Sequence, residues 1–242
     1  MTMRGVRARA ERVRSEALLV RKVAFGEADL VITLLTEQRG LVSAVARSGR
    51  RSAKRFASIE PMHLLDVTFD VRPSVDLATL VEVTIERTRA HLVSDLSRLE
   101  AGGRALRWVR RAAPPDTPEP AVWREINDLL DALNKPEDEV SPGARLAAAG
   151  LRLLAAIGWG LDFGRCVRCG RPCDPSASAC IDAAAGGLVC RSCGGARTVL
   201  RAERRARMVA VSAGADTALE EDDVTVALEL VDQALAAHAG IE

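Results

Sequence analysis

The chain has 242 residues, 48% of them hydrophobic, which is enough for two compact domains and argues against extensive disorder. No apolar run approaches the roughly 18–20 residues that span a bilayer, and the arginine-rich N-terminus lacks the apolar stretch of a secretory signal. We therefore expect a cytoplasmic protein with no membrane partner, whose six cysteines are metal ligands or free thiols rather than disulfides.

Charge is unevenly distributed along the chain, although the formal net charge is only +1. Residues 1–60 carry 13 Lys and Arg against 6 Asp and Glu, and residues 161–211 carry 9 against 4. Residues 212–242 carry no Lys or Arg and 8 Asp and Glu. Two basic segments on a nearly neutral protein are typical of a protein that binds a polyanion.

The first third of the chain shows the alternation and turn signals of β-structure. Five short strands are predicted, over residues 17–23, 29–36, 41–46, 60–71 and 77–85. This number of strands suits a small β-barrel of the OB type, and the periodicity fits an SH3-like barrel nearly as well. Residues 1–15 precede the strands and are predicted to be a flexible basic arm, so that the barrel spans residues 16–87.

After Glu86 the apolar residues recur at helical spacing. Ser141 followed by Pro142 is a good helix start, and the last predicted helix, residues 224–237, follows an acidic linker at 220–223. The predicted fold class is therefore α+β and multidomain. An OB-type β-barrel precedes an all-helical domain over residues 88–242, with a four-cysteine zinc knuckle inserted at residues 163–196.

Two C-x-x-C pairs carry the clearest chemical signal in the sequence. Cys166 and Cys169 form the first pair, Cys190 and Cys193 form the second, and 20 residues separate the pairs. Four thiolates at this spacing are typical of one structural zinc ion. A glycine follows each pair, which lets backbone amides turn toward the sulfurs. The alternative is two reduced, unligated motifs.

No catalytic constellation accompanies this predicted zinc site. Four thiolates leave no open position for water, and Cys173 and Cys180 are expected to be small buried residues or free thiols rather than ligands. The three histidines, His63, His91 and His238, neighbour no nucleophile motif, and no phosphate-binding loop is present. Asp66 and Asp70 are expected to be exposed strand residues. We therefore predict a protein that binds and is not an enzyme.

The longest predicted loop of the barrel is basic. Its cationic side chains are Arg47, Arg50, Arg51, Lys54 and Arg55. Such a loop can track a phosphate backbone, with a strong dependence on salt and a weak dependence on sequence. The chain has no Tyr, so stacking is limited to phenylalanine. Phe69 is predicted to lie in the core, and Phe25 and Phe56 are candidates to stack on a base.

The order of these motifs resembles the RecO family of bacterial recombination mediators. The resemblance covers roughly residues 15–212 and begins with ALLVRKVAFGEADLVITLLTEQRGLVSAVARSGRR. It continues through a helical middle to the junction GWGLDFGRCVRCG, and GGLVCRSCGG completes the cysteine set. The similarity implies an N-terminal OB fold and a helical domain that carries the zinc knuckle.

The same resemblance implies a function in gap and break repair. Members bind single- and double-stranded DNA, anneal complementary strands, and act with RecR and with the acidic C-terminal tail of single-stranded DNA-binding protein (SSB) to load RecA, in the cytoplasm at the nucleoid. The implied zinc ligands are Cys166, Cys169, Cys190 and Cys193. The implied DNA contacts are Arg21, Lys22, Arg47, Arg50, Arg51, Lys54 and Arg55.

Both ends of the chain depart from the family pattern. The N-terminal arm is an addition, and the last 31 residues are acidic where the family has a basic helical segment. The better candidates to contact an SSB tail or DNA are therefore Arg201, Arg204, Arg205 and Arg207. The acidic end is a candidate to mask the basic surface, in which case deletion of residues 216–242 would tighten DNA binding.

Other functions fit part of the pattern. A zinc-ribbon module in transcription or translation would bind RNA or a polymerase and would not anneal strands. A pure scaffold would bind RecR or SSB with negligible affinity for DNA. A zinc-dependent deaminase or nuclease would need a His or Glu close to the cysteines, and none lies between Arg165 and Ala196.

Overall fold

The computed structural model describes residues 10–52, 56, 59–73, 75–215 and 219–238. The chain forms two compact units, one made of residues 1–90 with 113–123 and the other of residues 91–112 with 124–242. The sequence prediction ends the barrel domain at residue 87, whereas the first unit extends to residue 90 and also contains residues 113–123, which the prediction assigned to the helical domain.

Five strands of the first unit form a closed sheet. They are β1 (Glu11–Phe25), β2 (Asp29–Thr36), β3 (Gly40–Ala46), β4 (Leu64–Arg72) and β5 (Val75–Arg87). Neighbouring strands follow the order β1–β2–β3–β5–β4, β4 pairs with β1, and only the β3–β5 pair is parallel. This arrangement is OB-like, which settles the choice that periodicity left open.

Strand β1 begins earlier than the sequence predicted. Glu11–Ser15 was assigned to a flexible arm, but these residues pair with β4. Arg12 Nε lies 2.8 Å from Asp70 Oδ1, and Arg14 Nε lies 2.9 Å from Asp66 Oδ2. These hydrogen bonds hold the pKa of both carboxyl groups below its usual value. The predicted arm is therefore reduced to residues 1–10, of which 1–9 lie outside the described residues.

The interior of the barrel is filled by residues that alternate along the strands. They include Leu19, Ile32, Leu34, Leu65 and Phe69, none more than 2% exposed. The prediction that Phe69 lies in the core is confirmed. Phe56 is only 5% exposed and packs into the same core, so its predicted stacking role is wrong. Phe25 is 61% exposed.

The turn between β2 and β3 is held against residues 113–123. The amide of Asp116 donates to the carbonyl oxygen of Leu41 at 2.9 Å. Gly40 ends the turn with φ +63°, and a Cβ atom there would lie 1.9 Å from the carbonyl oxygen of Thr117. Glycine is therefore required at position 40 for two reasons: the backbone is left-handed, and the backbone of Thr117 leaves no room for a Cβ atom.

Replacement of Gly40 by alanine should lower the free energy of unfolding by about 3 kcal/mol, because the backbone at Thr117 must move and the left-handed φ adds strain. Gly26 is a matched control, since its φ is +57° and nothing lies within 4 Å of its added Cβ. Gly26→Ala should cost about 1 kcal/mol. Urea unfolding of the two variants measures the difference, and equal losses would contradict the contact with Thr117.

Six helices are described. They are α1 (Ala90–Ser94), α2 (Leu96–Ala112), α3 (Pro120–Leu133), α4 (Pro142–Ala156), α5 (Ala202–Ser212) and α6 (Glu221–His238). The predicted start of α4 is confirmed: Ser141 Oγ accepts from the amide of Ala144 at 3.2 Å, with Pro142 in the first turn. Among the described helices, none is both long enough and apolar enough to cross a membrane.

Helix α6 is part of the core of the second unit and not an acidic tail. Leu230, Val231 and Leu235 are at most 1% exposed. A Cβ atom added to Gly150 of α4 would lie 3.0 Å from Val231, which shows how closely these two helices approach. Deletion of residues 216–242 would remove this core helix, so it does not test the hypothesis that the acidic segment masks a basic surface, which stays a prediction.

Candidate metal centre and nucleic-acid interface

The cysteines lie in a small sheet within the second unit, which we call the cysteine module (residues 162–201). Its strands are β6 (Asp162–Cys166), β7 (Ala179–Asp182), β8 (Gly187–Leu188) and β9 (Thr198–Leu200), in the order β6–β8–β7–β9. The first C-x-x-C pair begins at the end of β6. The second pair follows β8 and encloses a short 3-10 turn, Arg191–Cys193. The sheet thus brings two pairs that are distant in sequence to one place.

The four predicted ligands converge. The sulfur atoms of Cys166, Cys169, Cys190 and Cys193 all lie within 4.8 Å of one another. Cys169 Sγ and Cys190 Sγ are 3.8 Å apart. In a tetrahedral zinc site, metal–sulfur bonds of about 2.3 Å give sulfur–sulfur edges of about 3.8 Å. The four thiols and their spacing are therefore compatible with a tetrahedral zinc site.

Backbone amides surround the most buried sulfur. The amide of Cys190 lies 3.3 Å from Cys166 Sγ. This hydrogen bond, with those from the amides of Cys169 and Arg168, lowers the pKa of Cys166 to about 6. Contacts with the thiols of Cys190 and Cys169 raise the pKa of Cys193 to about 12. Thiols so close to one another cannot all ionise without a cation, and a divalent metal ion removes that conflict.

The glycine that follows each pair has a left-handed backbone. Gly170 has φ +71° and Gly194 has φ +104°, and both follow a turn that closes on a cysteine pair. Arg168 Nη1 donates to the carbonyl oxygen of Cys193 at 2.9 Å, which ties the first turn to the second. Cys173 and Cys180 lie outside the four-sulfur group, and their prediction as non-ligands stays a prediction.

Residues 47–52, the described part of the basic loop after β3, lie at the tip of the β1–β2 hairpin. The amide of Arg50 donates to the carbonyl oxygen of Ala28 at 2.9 Å, and the amide of Ser48 donates to Asp29 Oδ1 at 2.7 Å. Arg47 and Arg50 are exposed, and Arg51 makes a loose ion pair with Glu27 at 3.9 Å. Lys54 and Arg55, the other predicted contacts in this loop, lie outside the described residues.

The two predicted contacts on β1 differ in their surroundings. Arg21 is exposed and has no ion pair within the described part of the chain. Lys22 Nζ donates to the carbonyl oxygen of Ile59 at 2.8 Å and lies 3.1 Å from Glu60 Oε1. Arg21 is therefore available to a ligand, whereas Lys22 is engaged within the barrel.

The outer face of β1, β2 and β3 adds residues that the sequence did not single out. Val23 pairs with Val31, and Val31 pairs with Val45, so these three side chains form one row across the sheet. The next row, with Ile32 at 1% exposure, points inward, so the valines point outward. Val23 is 40% exposed. We call Arg21, Val23, Phe25, Val31 and Val45 the barrel face.

A β-bulge explains why this face was missed. The register shifts between Leu19 and Arg21, which reverses the inward and outward alternation along the rest of β1. The pattern Arg21, Val23, Phe25 is visible in the sequence, but the side that it occupies depends on the bulge. The face lies beside the basic loop, because Phe25 pairs with Asp29 at the hairpin tip.

Comparison with known families covers both units. The family described as "Recombination protein O N terminal" matches residues 10–89, and "Recombination protein O C terminal" matches residues 93–242. The chain belongs to the RecO family. The resemblance seen in the motifs is thereby confirmed, and membership supports a role in DNA repair and recombination.

Several curated relatives are named DNA repair protein RecO. The chain is 34% identical over 184 residues to that of Anaeromyxobacter sp. (strain K), which covers 76% of this chain and 71% of the relative. It is 36% identical over 185 residues to that of Anaeromyxobacter dehalogenans (strain 2CP-C), with the same coverage. The protein of Nocardioides sp. (strain JS614) is 33% identical over 181 residues, which cover 74% of this chain and 73% of the relative.

The predicted tail-binding arginines of this RecO-family chain are mostly engaged. Arg204 Nε and Arg207 Nε each lie 2.6 Å from a carboxylate oxygen of Asp223. Arg205 is 3% exposed and donates to the carbonyl oxygen of Asp174, while its Nη1 is buried without a hydrogen-bond acceptor among the described residues. Of the four candidates, only Arg201 is exposed without an ion pair in the described chain.

Proposed function

We propose that this RecO-family protein is a recombination mediator that acts by binding DNA and not as an enzyme. It binds single- and double-stranded DNA, anneals complementary strands, and works with RecR and SSB to load RecA during gap and break repair. Family membership supports the recombination role. The observation that carries DNA binding is the barrel face beside the basic loop, where exposed arginines and an exposed phenylalanine adjoin a row of valines.

This combination suits a single strand of nucleic acid. OB-type barrels bind oligonucleotides on the face of strands 2 and 3. Exposed Phe25 offers a stacking surface, and base–aromatic stacking contributes roughly 1–3 kcal/mol per base. Arg21, Arg47 and Arg50 supply cationic groups for phosphates. Because every base has an aromatic face and every nucleotide a phosphate, such binding is weakly dependent on sequence and strongly dependent on salt.

Annealing requires no covalent chemistry from the protein. Two strands repel each other, and a cationic surface lowers that repulsion by releasing roughly 0.7–0.9 counterion for each phosphate neutralised. Base pairing then supplies the free energy. A structural zinc ion held by the four cysteines would fix the two turns of the cysteine module, and it would have no open position for a substrate.

The test is the annealing of two complementary labelled oligonucleotides, each coated with the cognate SSB, without nucleotide and across a salt series. We expect rapid annealing that falls steeply with salt. The double variant Arg21→Gln/Phe25→Ala should slow annealing by roughly tenfold or more, because it removes one phosphate contact and one stacking surface.

A matched control is Arg110→Gln/Leu96→Ala, which removes an exposed arginine and an exposed leucine from α2. It should anneal like the wild type. No acceleration by the wild type at any salt would reject the mediator proposal and favour a zinc-ribbon module in transcription or translation, or a scaffold. Equal losses in both variants would remove the barrel face from the proposal and leave annealing in place.

A further inference from the structure

The cysteine module carries more arginine than its own acidic residues balance. Its six arginines are Arg165, Arg168, Arg171, Arg191, Arg197 and Arg201, which we call the arginine rim. All six are exposed, and none forms an ion pair within the described part of the chain. The module contains only three acidic residues, Asp162, Asp174 and Asp182.

Those three carboxylates are used locally. Asp162 Oδ1 accepts from the amides of Gly164 and Arg165, each at 2.8 Å. Asp174 Oδ1 accepts from the amide and the hydroxyl of Ser176, and Asp182 Oδ1 accepts from the amide of Ala185 at 3.2 Å. The acids therefore stabilise turns, and the cationic groups of the rim are left to face solvent.

The turns hold the rim arginines on a defined backbone. The amide of Cys166 donates to the carbonyl oxygen of Arg171 at 2.9 Å, and the backbone of Arg165 forms an isolated antiparallel β-bridge with Pro172. Arg191 begins the 3-10 turn of the second cysteine pair. Backbone order of this kind reduces the entropy that binding must remove, because only the side chains remain to be fixed.

We propose that the arginine rim is a second nucleic-acid site, which binds the phosphate backbone of a strand separate from the one on the barrel face. This inference rests on the proposed DNA binding and adds a site to it. A phosphate backbone is the best match, because contacts to phosphate need cationic forks and little apolar area. An interface with an acidic protein usually has an apolar core. Among its described residues, the cysteine module exposes only two large apolar side chains, Val167 and Val199, which is too little for such a core.

The experiment uses the full chain and two non-complementary single-stranded oligonucleotides that carry a donor and an acceptor fluorophore. Energy transfer reports a protein that holds both. The test variant is Arg165→Gln/Arg171→Gln/Arg191→Gln; Arg168 is kept because it hydrogen-bonds to Cys193. The control is Arg107→Gln/Arg110→Gln/Arg111→Gln, three exposed arginines of α2 in the same unit.

We expect the wild type to hold both oligonucleotides at low salt. The rim variant should still bind one oligonucleotide on the barrel face and should bind the second oligonucleotide roughly tenfold or more weakly. For that second oligonucleotide, the slope of log affinity against log salt should fall by about 2, because three phosphate contacts are lost. The control variant should behave like the wild type. Metal content is measured on each protein, and single glutamine variants replace the triple one if it loses its metal.

Three results would overturn the second site. A rim variant that still holds both oligonucleotides shows that the rim does not bind DNA, and equal losses in the control show an effect of total charge alone. A rim variant that keeps both strands but loses binding to polyglutamate assigns the rim to an acidic protein. These failures differ from failure of the proposed function, in which the wild type itself binds no oligonucleotide and both proposals fall.

Discussion

Replacement of Cys166 by serine should abolish metal binding and unfold the cysteine module. Cys166 is the most buried of the four clustered cysteines, and its sulfur accepts a hydrogen bond from the amide of Cys190 in the second pair. Binding of zinc to such sites contributes roughly 10–16 kcal/mol to folding in isolated zinc-finger peptides. The short strands of this module cannot supply that much folding free energy, so the module should unfold when one ligand is lost. We expect one zinc ion per wild-type chain and almost none in the variant.

Cys180→Ser is the matched control, because Cys180 lies in the same module but outside the four-sulfur group. It should keep its metal. Metal analysis of the purified proteins measures occupancy, and hydrogen exchange of amides in residues 162–201 measures folding of the module. A Cys166→Ser protein that retains one zinc ion, or loss of metal in both variants alike, would show that the ligand set is different.

Removal of the charge at Asp223 should cause a large loss of stability in the second unit. The side chain is 1% exposed and accepts hydrogen bonds at 2.6 Å from Arg204 and Arg207. Breaking one partner of such a buried ion pair costs roughly 3–5 kcal/mol. Since both arginines are about a quarter exposed and can recover water, we expect Asp223→Asn to cost about 3 kcal/mol.

Asp222→Asn provides the control, because Asp222 lies in the same first turn of α6 but is exposed. Asp222 has the favourable position of an acidic residue at a helix N-terminus, but its side chain has no paired arginines in the described chain. Asp222→Asn should therefore lower the free energy of unfolding by no more than about 1 kcal/mol. Urea unfolding at pH 7 measures both. Similar losses in the two variants would mean that the helix terminus, and not the arginine pair, determines the effect.

The stability difference between the wild type and Asp223→Asn should depend on pH. Burial acts to raise the pKa of Asp223, but the hydrogen bonds from Arg207 and Arg204 outweigh it and hold the pKa below its usual value. The contribution is therefore complete above the unfolded value of about 3.9, and it is lost as pH falls through the lower folded value. The difference should be full at pH 7 and should shrink below about pH 4.

Local patterns in the sequence were enough to predict much of this protein. The alternation in residues 29–36 and 41–46 predicted β2 and β3, and the Ser141–Pro142 pair predicted the start of α4, since each depends on neighbouring residues only. The spacing of the two C-x-x-C pairs predicted the four-sulfur cluster. The same motifs, in their order, identified the RecO family.

Burial and pairing between distant residues could not be predicted in this way. Phe25 and Phe56 looked equivalent in sequence, yet one is exposed and the other packs into the barrel. Arg204 and Arg207 were predicted as ligand contacts, but Asp223 holds both. Their partner is 16 to 19 residues away in the chain, beyond the reach of any local pattern.

Composition, periodicity and motif spacing by themselves determined most of the elements, the four-cysteine cluster and the family, because those signals depend on neighbouring residues. Only the tertiary structure decided which charges are free. Arg204 and Arg207 face an acidic partner and Arg205 is buried, whereas the six arginines of the rim, Arg201 included, face solvent. The physical reason is that a charge binds a ligand only where the fold has not already supplied a counter-charge, and that depends on the whole packed chain.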